Sequence, residues 1–339
     1  MIFGALRGNG LIENIIFKAK HISNRDSCFA PYIALREGLS KHSIQLDTLD
    51  KSNKSNLLFE IHQDVQLSSC CKINYLLMLE NPLVKPLNHD PNKWTKYKKI
   101  FTWHDELVSN DRHNRFVKIN LPNPINSYPV DGFSKRNRFC CLIAANKTLP
   151  LKDARDLYPE RVVAIRWFEK NASKDFDLYG IDWNIPVVHR GLIGKLERRF
   201  WRLLVSVIPT SPFPSYRGKV ANKSEVLTQT RFAICYENVR DLPGYITEKI
   251  FDCFFSGCVP VYWGADNITD YIPADCFIDR RNFCDTAAVY DFLKKITDQE
   301  FCGYQQRIAD FLQSDASYPF SSEYFAETIV DTIVQDLGV

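Results

Sequence analysis

Apolar and polar positions along this chain switch repeatedly between two periods. Compact apolar runs of strand length occupy residues 73–79, 99–103 and 141–145, and then Phe176–Tyr179, 232–236 and Val259–Trp263. Such short runs bounded by polar residues predict buried strands. Between them lie stretches with helical spacing. In 153–169, Val162, Ile165 and Phe168 recur three apart, and in Ser322–Leu337, Phe325, Ile329, Ile333 and Leu337 recur every fourth residue. Strands alternating with helices predict an α/β fold with parallel sheets. The stretch 110–138 is polar, carries three prolines, and reads as a long surface excursion. The expected domain junction lies near 148–152, giving a first domain over 1–150 and a second over 151–339 that includes the final helix.

Residues 232–264 hold the densest local signal. An apolar strand ends at Glu237 and Asn238, and a turn with Pro243 and Gly244 leads to Tyr245. Thr247 is placed to cap a helix beginning Glu248-Lys249, with Ile250, Phe254 and Phe255 facing inward and Gly257 stopping it. A lysine in the first turn of a helix opposes the macrodipole, at a cost of roughly 0.3–1 kcal/mol. Lys249 and the free backbone N–H groups therefore form a place that suits an anion such as a phosphate. The local pattern also allows Lys249 simply to pair with Glu248 or Glu237.

Read as E-N, G-Y-x-T-E-K and S-G-x-V-P-V-Y-W-G, this block resembles the donor-binding signature of glycosyltransferase family 10, the α-1,3/4-fucosyltransferases, in its bacterial form. Phe176-Asp177-Leu178-Tyr179-Gly180 with Trp183, and Lys223-Ser224-Glu225-Val226-Leu227 before the strand, are similar to further family segments. Leu79-Glu80-Asn81-Pro82 and Phe101-Thr102-Trp103 resemble its acceptor-side landmarks. The resemblance covers roughly 73–283 and does not reach the first seventy residues.

The resemblance implies a GT-B-like α/β architecture of two Rossmann-like domains facing a cleft. It also implies transfer of L-fucose from GDP-fucose to a glycan hydroxyl with inversion. Glu80 takes the place of the catalytic base, although the residues alone equally allow it to cap a strand and pair with Lys85. Glu237, Asn238, Tyr245, Glu248 and Lys249 fall on the donor site. Arg217 is the expected second cation on the diphosphate, with Lys223 and Arg190 as rivals. Such cations could neutralise a diphosphate with no metal and no cofactor. Asp175-Phe176-Asp177 has the D-x-D form that holds a metal in other glycosyltransferases, but it precedes its strand. His104-Asp105-Glu106 reads as a surface turn or helix start. Two alternatives stay open: the same fold serving another nucleotide sugar, or a catalytically silent glycan-binding protein.

Composition changes this picture little. The 339 residues are 45% hydrophobic and 24% charged, with a net charge of +3. That mild basicity suits an anionic sugar nucleotide and gives no reason to expect nucleic acid. Eleven cysteines form no C-x-x-C, and several sit inside apolar runs, which predicts reduced core thiols and a reducing compartment. No apolar run reaches the length of a transmembrane helix. The expected location is cytoplasmic, with peripheral membrane contact left open.

Overall fold

The computed structural model describes residues 1–125, 128–208 and 211–339. They form two compact units, each built on a parallel sheet. Unit 1 comprises Met1–Ile125, Pro243–Tyr245 and Ser317–Val339, and unit 2 comprises 126–242 and Ile246–Ala316.

The sheet of unit 1 contains β1 (Ile2–Arg7), β2 (Ile44–Thr48), β3 (Leu57–Gln63), β4 (Ile73–Met78), β5 (Lys99–Thr102) and β6 (Phe116–Lys118), in the order β2-β1-β3-β4-β5-β6. All its pairings are parallel. The sheet of unit 2 contains β7 (Arg138–Ile143), β8 (Phe176–Tyr179), β9 (Thr230–Tyr236), β10 (Val259–Trp263) and β11 (Ile278–Asp279), in the order β11-β10-β9-β7-β8. It too is parallel throughout. Among the described residues, the helices of two turns or more are α1 (Ala30–Lys41), α2 (Tyr158–Asn171), α3 (Gly191–Val207), α4 (Glu248–Phe255), α5 (Thr286–Lys295), α6 (Asp298–Gln313) and α7 (Ser322–Leu337). None is long and apolar enough to cross a membrane.

The expected α/β fold is present, and the six strand runs and the final helix lie where the periodicity puts them. Two expectations about organisation are corrected. The division falls at 125/126 instead of near 150, because β7 hydrogen-bonds to β8 and β9 and so belongs to the second sheet. The final helix α7 belongs to unit 1. Its Phe325, Ala326, Ile329, Val330 and Ile333 are buried in the core formed by β1–β4 and α1, and Phe325 meets Tyr32 of α1 edge-on at 6.2 Å. Ser321 caps it by accepting the N–H of Tyr324 at 3.0 Å, and Gly338 stops it in the left-handed region at φ 69°. Within the polar stretch 110–138, β6 adds a short edge strand, and Asn123 bonds to Phe320 and Ser322 ahead of α7.

Strand β3 brings Glu60 and His62 to one face, both fully buried. His62 Nε2 donates to Glu60 Oε2 at 2.7 Å, while its Nδ1 accepts from Tyr97 Oη at 2.9 Å. Arg7, the Ser69 hydroxyl and the backbone N–H of Cys70 also donate to the carboxylate. Burial raises the Glu60 carboxyl, but the His62 and Cys70 bonds outweigh it and hold it at about 2.

No disulfide occurs among the described residues. Six of the eleven cysteines are buried, among them Cys140 and Cys141 of β7 and Cys235 of β9. They pack as small apolar side chains, as their setting in apolar runs predicts.

Candidate functional site

In unit 2, β9 is flanked by β10 and β7, so its residues are closely enclosed and its carboxyl end delivers Glu237 into the interior. The side chain of Glu237 is fully buried and accepts three bonds, each 2.8 Å, from the Thr247 N–H, the Thr247 hydroxyl and the Lys249 ammonium. A buried carboxylate needs such partners, because an unpaired one costs several kcal/mol. Thr247 caps α4 with an extended backbone, and its hydroxyl also accepts from Lys249 Nζ at 2.8 Å. Gly264 makes room for this cluster, since a Cβ there would collide with Glu237 and Tyr262.

Lys249 thus stands at the start of the helix with the buried carboxylate of Glu237 behind it. Its side chain keeps 22% of its surface open. Glu248 points outward, 53% exposed, with Oε1 4.0 Å from Lys249 Nζ and 3.7 Å from Lys223 Nζ. Desolvation by the surrounding protein raises its carboxyl. The charges of Lys249 and Lys223, with bonds from its own N–H and from Thr247, overcome that and hold it at about 2. Lys223 is fixed by Asp252 at 2.6 Å. The result is one carboxylate bracketed by two ammonium groups at the start of α4.

Of the expected donor residues, Glu237, Glu248, Lys249 and Lys223 come together. Glu237, being buried, contacts Lys249 and Thr247 and does not itself face outward. Asn238 follows it, and its Oδ1 accepts from Arg161 Nη2 at 3.2 Å. Arg217 stands apart. Its guanidinium bonds Asp177 at 2.7 Å, and Asp177 is level with Cys141 and hence with Ala233. That is four residues before Glu237, roughly 13 Å back along the strand direction. Lys223 is the cation found beside Lys249 and Glu248, while Arg217 pairs with Asp177. Arg190 is likewise engaged elsewhere, on Asp156 at 2.7 Å.

The two carboxylates of the D-x-D point to different partners. Asp175 takes Tyr290 and Lys294, while Asp177 takes Arg138 and Arg217.

Three arginines that the sequence reading passed over lie near this strand end. Arg161 of α2 is buried and bonds Tyr236 O at 2.6 Å. Arg240 and Arg280 stack on Trp263 at 5.7 and 5.1 Å. Arg240 directly follows the E-N-V run and Arg280 follows Phe277-Ile278-Asp279. Their positions after strand ends were the available signal.

In unit 1, Glu80 lies two residues beyond β4, partly exposed. Its N–H donates to Asp64 Oδ1 at 3.2 Å and its carbonyl accepts from Asn88 at 3.2 Å. Lys85, the alternative partner expected for it, pairs with Asp64 at 3.3 Å. The adjoining Asn81 is fully buried and donates to the Tyr245 hydroxyl at 3.0 Å. Tyr245 also packs its ring on Trp103 at 4.7 Å. It was expected among the nucleotide contacts of the second domain, yet it is buried in unit 1 beside the strand end that carries Glu80. His104 precedes a short helix, Asp105–Ser109, as the helix-start reading expects, but it is buried, stacked on Trp103 and 5.5 Å from His89. Burial, and then the neighbouring His104, push the His89 ring down to about 4. His89 is thus neutral near pH 7.

Comparison with known proteins agrees with the resemblance. Residues 205–309 match the model for glycosyltransferase family 10 (fucosyltransferase), C-terminal part. The chain is 32% identical over 103 residues to the α-(1,3)-fucosyltransferase FucT of Helicobacter pylori, covering 29% of this chain and 21% of that protein. It is 32% identical over 72 residues to an α-(1,4)-fucosyltransferase of Arabidopsis thaliana, covering 21% and 18%. The aligned part thus spans about a fifth of each relative. A crystal structure of an α1,3-fucosyltransferase with GDP superposes with TM-score 0.54 at 16% identity, over 98% of this chain and 90% of the other. Anabaena Alr3699/HepE in complex with UDP-glucose gives 0.55 at 11% identity, over 99% and 100%. These likenesses establish a shared fold.

Proposed function

We propose that the chain, whose residues 205–309 match the model for glycosyltransferase family 10, is an inverting fucosyltransferase of that family. It takes L-fucose from GDP-fucose and passes it to a hydroxyl of a glycan acceptor. The observation that carries this reading is the Lys249–Glu248–Lys223 group at the start of α4, backed by buried Glu237 and lying inside the matched segment.

Transfer from a nucleoside diphosphate sugar leaves negative charge on the departing diphosphate. A pre-oriented ammonium at a helix N-terminus stabilises that charge without reorganising at the moment of reaction. Lys249 has this form: Glu237 and Thr247 fix its position before any ligand arrives. Lys223 supplies the second charge, so neutralisation needs no metal. Glu248, ionised throughout the neutral range, suits the positive charge that develops on the sugar ring. It is too weak a base to take a proton from an acceptor. That role goes to Glu80, which is partly exposed at a strand end. Attack from the face opposite the diphosphate converts a β-linked donor into an α-linked product.

The direct test is a donor panel read by thermal shift and by transfer. GDP and GDP-fucose should raise the Tm through mass action, while UDP and CMP sugars should not. Equal stabilisation by UDP-glucose would favour the second reading, a different nucleotide sugar. That reading has support of its own, since the UDP-glucose complex of HepE superposes as well as the GDP complex does. Glu80→Gln should keep GDP-fucose binding and lose roughly 10²–10⁴-fold in transfer, the usual worth of a positioned base. Unchanged transfer would move the base to another residue, and Asp105 and Glu106 are the next to try. Slow hydrolysis of GDP-fucose without acceptor separates an enzyme from a silent glycan-binding protein.

A further inference from the structure

Helix α3 is built the wrong way round for a helix facing water. Of its seventeen residues only Gly194 is buried. Leu192, Leu196, Phe200, Leu203 and Val207 follow one another at spacings of four, four, three and four, and with Ile193 they are between 60% and 79% exposed. At ~100° per residue these six side chains fall within about 100° of arc, a single continuous stripe.

The opposite side faces the protein, with charged residues beside half-buried Trp201, Leu204 and Val205. Arg198 and Arg202 both reach Asp182 at 2.7 Å, and Arg198 also donates to Asn146 O at 2.7 Å. Glu197 bonds His189 at 2.7 Å. Gly194 is required where it stands, since a Cβ would collide with the His189 carbonyl. The helix is therefore anchored by ions and one close backbone approach, and its orientation leaves the apolar stripe outward. Leu151 is 74% exposed, and its carbonyl accepts from Arg190, the residue that precedes α3, at 2.9 Å.

Charge decides what covers such a face. The helix carries four basic residues and one acidic residue. Lys195 and Arg199 are exposed and project on one flank of the stripe, beside the leucines. A second copy docking α3 on α3 would bring these like charges together. A bilayer with anionic headgroups offers acyl chains to the stripe and opposite charge to its flank, which is how interfacial amphipathic helices bind. Roughly 25 Å long, α3 would lie in the headgroup plane without spanning.

We propose that unit 2 docks on an anionic membrane surface through α3, with Leu192, Leu196, Phe200, Leu203 and Val207 entering the bilayer and Lys195 and Arg199 at the headgroups. This does not depend on which sugar is transferred.

The test is flotation of the 339-residue chain with phosphatidylcholine vesicles, with and without phosphatidylglycerol. The chain should float with the anionic vesicles, and less so as salt rises. Leu196→Glu/Phe200→Glu/Leu203→Glu should lower the floated fraction roughly 10-fold while leaving Tm and the GDP-induced thermal shift unchanged, because these side chains touch water. Lys195→Glu/Arg199→Glu should lower it by a similar factor without altering the stripe. Should the triple variant fail to fold, the charge-reversed variant and the salt series decide alone. Absence of flotation, flotation equal on both vesicle types, or flotation unchanged in the variants overturns the proposal. A concentration-dependent dimer in ultracentrifugation that the triple substitution abolishes, with no vesicle binding, would assign the stripe to a second copy instead.

Discussion

At the scale of single residues, the charged groups here act in pairs, and each pair sets what a substitution means. Lys249→Ala removes the cation expected on the diphosphate, and it also strands Glu237, which is fully buried. Breaking such a pair costs about 3 kcal/mol or more, so the variant should melt lower as well as react slower. Lys249→Ala/Glu237→Gln separates the two effects. The double variant should recover much of the lost stability, while transfer stays down by roughly 10²-fold in kcat/KM, as when one oxyanion donor is removed. Recovery of transfer in the double variant would show that Lys249 serves structure alone. Glu60 gives a second residue-scale prediction. Its folded carboxyl sits at about 2 against an ordinary 4.5, so its contribution is complete above 4.5 and is lost as pH falls from there toward 2. His62, lowered by burial, adds a loss of the same sign below its ordinary value of 6.5. Urea midpoints over a pH series should fall less steeply between 4.5 and 2 in Glu60→Gln than in the native chain. Parallel curves would remove Glu60 from the acid sensitivity.

At the scale of elements, α7 shows both what the sequence discloses and where it stops. Its boundaries were readable because Phe325, Ile329 and Ile333 repeat every fourth residue and Ser321 and Gly338 punctuate the ends. Its partner was not, since periodicity gives the apolar face of a helix but not the core that receives it. The chain therefore leaves unit 2 and returns to unit 1 with no local sign. β7 is similar: Cys140-Cys141-Leu142 reads as a strand, while its sheet is fixed only by pairing with β8 and β9. The site divides along the same line. Lys249 and Glu248 were legible from one contiguous motif and Lys223 from the segment before it, whereas Arg240 and Arg280 follow separate strand ends and Arg161 lies in α2. Arg217 follows from the neighbourhood of the motif in sequence, and its guanidinium pairs with Asp177. The helix itself offers a test. Ile329→Ala should cost roughly 2–5 kcal/mol, as for other large-to-small changes at fully buried sites. Hydrogen exchange should then speed up in β1, β3 and β4, which share a core with Ile329, and not in β9 and β10. Faster exchange in β9 and β10 instead would return α7 to the second domain.

For the molecule as a whole, the proposed transfer asks how the charge of a departing diphosphate would be balanced. The net charge of +3 is small, so the answer lies in placement. Basic side chains gather after the strands of unit 2, with Lys249 and Lys223 at the start of α4, Arg161 under Tyr236, and Arg240 and Arg280 around Trp263. The acidic pair with the form of a metal motif is spent on other contacts: Asp177 on two arginines, Asp175 on Tyr290 and Lys294. If fixed ammonium groups do the work of a cation, transfer from GDP-fucose should continue in EDTA at the rate seen without it. Asp177→Asn should then leave kcat/KM within about twofold, and its effect should appear in stability, at roughly 1 kcal/mol or less for a partly exposed ion pair. Lys223→Ala, by contrast, should lower transfer, because it removes one of the two charges beside Glu248. The alternative has its own signature. Activity lost in EDTA, restored by Mn²⁺ and abolished by Asp177→Asn would put a metal under the diphosphate and reduce Lys249 and Lys223 to a surface cluster. The two mechanisms thus part on Asp177 of β8 and on Lys223 and Lys249 beside α4, and one set of kinetic measurements decides between them.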